Sequence, residues 1–225
     1  MINQRNRKRL LITSIILAML VCLEGFQAPS MSASTIRVAC VGDSITYGYG
    51  YPAELQTLLG TEYSVENFGY SGRTAMRTGD KPYVDEEIYQ DSLNYLPDIV
   101  VIMFGTNDSK VQNWLSKEEF KKQYRELLQS YTQLSSKPVV YLNTPATPFY
   151  VDGKMEGPME FNIQKDKVDE AAEAVRELGK ELGLQVLDFN DITKNHPEWF
   201  KIDGIHPNAD GAKAIAKLAY DGIKK

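Results

Sequence analysis

Asp98-Ile99-Val100-Val101-Ile102-Met103-Phe104 is the run that decides the fold. It is apolar without alternation, and a strand with no polar face is covered on both sides, as in the centre of a parallel sheet. Pro97 closes the segment before it, and Gly105-Thr106-Asn107-Asp108 follows it. Polar side chains are thus delivered at the strand's C-terminal end, the edge where open α/β sheets hold their ligands.

The same grammar repeats on either side. Upstream, Ile36 to Val41 is a short apolar strand that empties into Gly42-Asp43-Ser44-Ile45-Thr46. Tyr63 to Phe68 is another, and it leads into Gly69-Tyr70-Ser71-Gly72-Arg73-Thr74. Downstream, Pro138 to Leu142 and Gln185 to Phe189 supply a fourth and a fifth. Helical patterns separate them. Pro52 to Leu59 has proline in its first turn and Gly60 past its end, and Asp85 to Leu96 precedes Pro97. Ser116 with Glu119 reads as a capping box, ahead of Phe120, Tyr124, Leu127, Leu128, Tyr131 and Leu134 on one helical face. Val168, Ala171, Ala172, Val175, Leu178 and Leu182 form the next face, and Asn208 to Ile223 the closing helix. Strands alternating with helices, without repeat or dividing linker, predict one α/β domain over residues 34–225 built on a five-stranded parallel sheet.

Residues 1–33 have the plan of a secretory signal peptide. Arg5, Arg7, Lys8 and Arg9 precede an uncharged run from Leu10 to Leu23, followed by small and polar residues broken by Pro29. A membrane span needs about 20 apolar residues, so an uncleaved anchor is the lesser reading. Cleavage removes four of those positive charges and Glu24, leaving a domain more acidic than the whole chain's formal −5. With no basic cluster, such a domain is a poor partner for nucleic acid or anionic lipid, which are bound through Lys and Arg. Cys40 is the one cysteine after the leader, so no intrachain disulfide can form there, and its place inside an apolar strand makes it a packing residue.

The chemically capable residues fall after strands one, two, three and five, all at one edge of the sheet. Ester hydrolysis needs a nucleophile, a base, a carboxylate to orient the base, and donors for the developing oxyanion. Ser44, His206, Asp203 and the pair Gly72 and Asn107 offer one of each. Asp203 and His206 stand three apart around Gly204, a spacing that lets a carboxylate meet one imidazole nitrogen while the other faces Ser44. Imidazole near its ordinary pKa of about 6.5 suits base work at neutral pH. The only other histidine, His196 in Asn195-His196-Pro197-Glu198-Trp199, has no carboxylate three residues earlier. Asp43 and Asp108 are read as hydrogen-bonding residues of their own turns, since two carboxylates without further ligands make a thin metal site.

In these four blocks, Gly42-Asp43-Ser44-Ile45-Thr46, Asn67-Phe68-Gly69-Tyr70-Ser71-Gly72, Gly105-Thr106-Asn107-Asp108 and Asp203-Gly204-Ile205-His206-Pro207, the chain resembles the SGNH hydrolases of the GDSL esterase and lipase superfamily. The resemblance covers essentially the whole domain. It implies a flavodoxin-like, three-layer α/β/α fold with Ser44 as nucleophile, His206 as base and Asp203 as its orienting carboxylate. The Ser44 amide, the Gly72 amide and the Asn107 side chain would form the oxyanion hole, with no metal or organic cofactor. Within the superfamily the chain looks most like sialate and xylan O-acetylesterases, which take acetyl groups from sugars. A lysophospholipase or short-chain acyl esterase is the nearest alternative, an acyltransferase shares the acyl-enzyme, and a carbohydrate-binding module is the rival of another class. Tyr47, Tyr49, Tyr70, Phe149 and Tyr150 are candidate substrate-site aromatics. The stretch from Asn143 to Asn162, with Phe149, Tyr150, Met155 and Met159, is too long for a simple connection and is read as the segment that governs substrate choice.

Overall fold

The computed structural model describes residues 34–151 and 159–225. The leader and Met155 lie outside the described residues. Five parallel strands form the sheet: β1 (Ile36–Gly42), β2 (Tyr63–Gly69), β3 (Ile99–Met103), β4 (Val139–Asn143) and β5 (Gln185–Leu187). Their order is β2-β1-β3-β4-β5, with β1 in register with β3 from Val38 opposite Ile99 to Gly42 opposite Met103. The chain reverses its direction of travel across the sheet between β1 and β3. At such a switch point the loops leaving the two strands part, and a crevice opens between them.

The missing alternation in the strands has its explanation in the two cores. Ala39, Val41, Val100, Ile102 and Phe104 point to one face, where they meet Phe120, Tyr124 and Leu127 of α4 (Lys117–Thr132) and Val175 and Leu178 of α5 (Lys165–Leu182). Val38, Cys40, Val101 and Met103 point to the other, against Leu55 of α2 (Tyr51–Leu59) and Ala212, Ile215, Ala216 and Ala219 of α7 (Ala209–Ile223). Three layers result. Cys40 is buried in the second core, and burial pushes its thiol up to about 12, so it stays protonated at neutral pH.

Local chemistry sets the element ends. Ser116 Oγ accepts the Glu119 amide at 3.1 Å to start α4, and Asn208 Oδ1 accepts the amides of Asp210 and Gly211 to start α7. Two elements differ from the sequence reading by two residues at an end. The fifth strand stops at Leu187 instead of running to Phe189, because Asp188 turns away to cap a short helix, α6 (Phe189–Thr193), and is held there by the Arg176 guanidinium at 2.7 and 2.9 Å. The helix before β3, α3 (Glu87–Asn94), is shorter than Asp85 to Leu96: a 3₁₀ turn occupies Tyr83–Asp85, and Leu96 ahead of Pro97 takes a left-handed φ of 49°.

Candidate active site

Ser44 is the first residue of the five-residue helix α1 (Ser44–Gly48), directly after β1. Asp43 caps that helix, its Oδ1 accepting the Ile45 amide at 3.0 Å. So tight a passage from strand to helix needs a residue without a side chain at Gly42, where a Cβ would collide with Thr46 Oγ1 and with the Met103 carbonyl. The hydroxyl is thereby held at the sheet edge on a rigid support.

His206 comes to it from the other end of the chain. Ser44 Oγ lies 3.0 Å from His206 Nε2, and His206 Nδ1 lies 2.8 Å from Asp203 Oδ2. The Asp203 carboxylate does two jobs. Its Oδ1 accepts the backbone amides of Ile205 and His206 at 2.8 and 2.9 Å, closing the turn, while Oδ2 takes the imidazole. Gly204 makes the turn possible with a φ of 69°, and it lies so close to the Phe149 carbonyl that a Cβ there would collide with it. Burial alone would raise the Asp203 carboxyl, but the two amides and the imidazole outweigh it and hold it below the ordinary carboxylate range. An ionised Asp203 accepts only, so the imidazole proton sits on Nδ1 and Nε2 is free to accept from the serine.

Asn107, after β3, is 5 % exposed and lines the same cleft. Its Nδ2 donates to Asp43 Oδ2 at 3.2 Å, and its backbone carbonyl accepts Asn113 Nδ2 at 2.9 Å. Asp43 therefore determines which end of the Asn107 amide carries the nitrogen, leaving a second N–H for the cleft. Gly72 lies on the same cleft, and among the described residues neither its amide nor that of Ser44 has a hydrogen-bond partner. Asp43 and Asp108 are fully buried. Desolvation pushes Asp43 up to about 7 and Asp108 up to about 6, despite the Ile45 and Asn107 bonds to the first and the Met76 amide, 2.8 Å away, donating to the second.

The cleft has a volume of about 330 Å³, and its lining includes Ser71, Thr106, Lys81, Lys110, Phe161, Ile163 and Ile205 beside the groups above. Of the five aromatics singled out in the sequence, Tyr49 lines it and Tyr47, Tyr70, Phe149 and Tyr150 do not. Tyr47 and Tyr70 pair edge to face outside, at 6.4 Å, with the Arg73 guanidinium 3.7 Å over the Tyr70 ring. Phe149 packs on Phe200, and Tyr150 lines a neighbouring groove with Met159 and Ile163. The aromatics that do flank the imidazole are Tyr49, stacked on it at 4.5 Å, and Phe161, edge-on at 5.5 Å. Tyr49 is among the sequence candidates, whereas Phe161, in an irregular stretch with φ 59°, had no periodic signal to mark it.

Residues 40–214 match the GDSL-like Lipase/Acylhydrolase family. The chain belongs to it. That places it among the carboxylic ester hydrolases. It is 37% identical to an acetylxylan esterase from Xylanibacter ruminicola, over 87% of this chain and 45% of the relative, so it spans less than half of that protein's length. It is 28% identical to an acetylxylan esterase from Geobacillus stearothermophilus over 80% of this chain and 90% of the other. Among solved structures, the aryl esterase of M. smegmatis superposes with a TM-score of 0.70 at 18% identity, covering 84% of this chain and 98% of the other, a likeness of fold.

Proposed function

We propose that the chain is a serine esterase that removes acetyl groups from carbohydrate esters, exported by way of residues 1–33. The observation that carries the reading is the unbroken path from Ser44 Oγ through both His206 nitrogens to Asp203, opening into a cleft that Gly72 and Asn107 also line. In the first step Ser44 Oγ attacks the acetyl carbonyl carbon while its proton passes to His206 Nε2. The displaced carbonyl electrons become an oxyanion, which the amides of Ser44 and Gly72 and the Asn107 Nδ2 receive. Collapse expels the sugar oxygen, which takes the proton back from His206 and leaves acetyl-Ser44. Water then repeats the sequence, releasing acetate and restoring the serine.

A small cleft whose apolar members are Phe161, Ile163 and Ile205 suits a short acyl group better than a fatty one. The two acetylxylan esterase relatives favour sugar as the alcohol. Assays of acetate release from acetylated xylan and p-nitrophenyl acetate, with a fluorophosphonate probe and mass spectrometry of the labelled peptide, test the reading. Turnover with label on Ser44 is expected. Label elsewhere, or inert protein that folds normally, would sink it.

A further inference from the structure

Two ammonium groups in the Ser44 cleft have no place in the acetyl-transfer chemistry. Lys81 and Lys110 both line it, and none of the described residues lining it is an aspartate or glutamate. This is unusual for a chain whose formal net charge is −5. Two other grooves among the described residues pair their lysines with carboxylates. In the groove beside Tyr150, Lys165 faces Asp169 at 3.8 Å. In the groove between α4 and α5, Lys117 meets Glu173 at 3.2 Å and Lys167 meets Glu170 at 2.7 Å. Among the described residues, no carboxylate comes within ion-pair distance of Lys81 or Lys110. Asp80 is near enough that both lysines favour its charge, but it forms a direct ion pair with neither, its oxygens accepting from Asn113 Nδ2 at 2.9 Å and Gln112 Nε2 at 3.3 Å.

Their placement is on the Gly72 and Asn107 side of the serine. The Lys81 stem runs past Gly72, its Cδ 3.9 Å from where a Cβ on that glycine would stand, and the Lys110 amide donates to the Asn107 carbonyl at 3.3 Å. The Lys110 charge reaches as far as Asp43. Lysines without a direct carboxylate partner in a concave site draw anions to it.

Resting on the esterase reading above, we propose that the sugar this site prefers is an acidic one: an acetyl ester on a glycan carrying a uronate-type carboxylate, bound by Lys81 and Lys110. The carboxylate belongs to the alcohol half of the ester, since the acetyl group has none. Nothing in the chemical step changes, and acetate leaves as before.

A matched pair of substrates tests this: an O-acetylated methyl glucuronide and the O-acetylated methyl glucoside that differs from it only in lacking the carboxylate, with p-nitrophenyl acetate alongside. The expected result is a kcat/KM about three- to tenfold higher for the glucuronide, an advantage that shrinks as salt rises. In K81M/K110M the glucuronide-to-glucoside ratio should fall to near one, and in K81R/K110R it should persist. Thermal melts of both variants check that they fold. No preference in the wild type overturns the proposal, as does an equal loss on both sugars in K81M/K110M, which would assign the lysines to the oxyanion instead. Preference lost with turnover of p-nitrophenyl acetate intact leaves the esterase reading standing, whereas inactivity on all three substrates removes both.

Discussion

The two histidines of this chain sit in regions that look alike when taken one contact at a time. His206 meets Asp203 at 2.8 Å through Nδ1 and stacks on Tyr49; His196 meets Glu198 at 2.6 Å through Nδ1 and stacks on Trp199 at 3.9 Å. A carboxylate and an aromatic ring are therefore not what makes a site. The difference lies in the other nitrogen and in the surroundings. His206 presents Nε2 to Ser44, its side chain is 12% exposed, and two further loops converge on the same cleft. His196 is 41% exposed, in a 3₁₀ turn that carries no nucleophile. An ion pair in water is cheap and common, whereas a pair that terminates in a hydroxyl at a switch point requires the whole sheet to build it.

The contrast breaks if the histidines can be exchanged in function. His206→Ala should lower kcat/KM on p-nitrophenyl acetate by at least about 10³-fold. Retention of a tenth of the activity would end the assignment of the base. Next in size, Asn107→Ala should cost roughly 10² to 10³ in kcat with the fold intact, as one oxyanion donor typically does. Full activity there would mean that another group holds the oxyanion.

Asp43→Asn sharpens the picture from behind the site. The carboxylate offers one oxygen to the Ile45 amide and one to Asn107, and an amide of the same size can accept with only one. Steady-state kinetics should show kcat down about tenfold with KM nearly unchanged, the pattern of a lost transition-state contact. A change in KM alone would argue for a role in substrate binding instead.

A smaller effect is expected in stability. Asp108 has its folded pKa pushed up to about 6 from an ordinary 3.8, so the folded chain holds the proton more readily than the unfolded one. Stability from this group is complete below about pH 4 and is lost as pH rises through about 6. Relative to Asp108→Asn, the wild type should lose about 1 to 3 kcal/mol between pH 4 and 7.5 in urea melts. A flat difference would show that the carboxyl is not perturbed. At the small end, His196→Ala should leave activity within about twofold and cost less than about 1 kcal/mol of stability.

Much of this was legible beforehand because it is local. The five apolar runs, the Ser116 and Asn208 caps and the positions of Ser44, Asn107 and the Asp203-to-His206 turn follow from short-range pattern and turn chemistry. Even the buried fate of Cys40 was readable from its neighbours. The overrun of the fifth strand into Phe189 had a long-range cause, since Arg176 from α5 holds Asp188 and no window around β5 contains it. Four of the five aromatic candidates fall outside the cleft for a related reason. All five stand near the motifs in sequence, but side chains one or two positions apart on a turn point in different directions, so Tyr49 reaches the imidazole and Tyr47 does not.

The sequence by itself determined the layer architecture, because strands without a polar face can only be stable between two helical layers, and it determined which residue types gather at the C-terminal edge. What only the tertiary structure decided is which of them touch. Ser44 and His206 are 162 positions apart, and Asn107 and Asp43 are 64 apart. A contact across that distance depends on strand order, helix entry angle, the missing side chain at Gly42 and the left-handed backbone at Gly204, quantities that accumulate over the whole packed domain and leave no periodic trace in any one segment. The same holds for Lys81 and Lys110, whose lack of an ion-pair partner among the described residues is a property of the assembled surface.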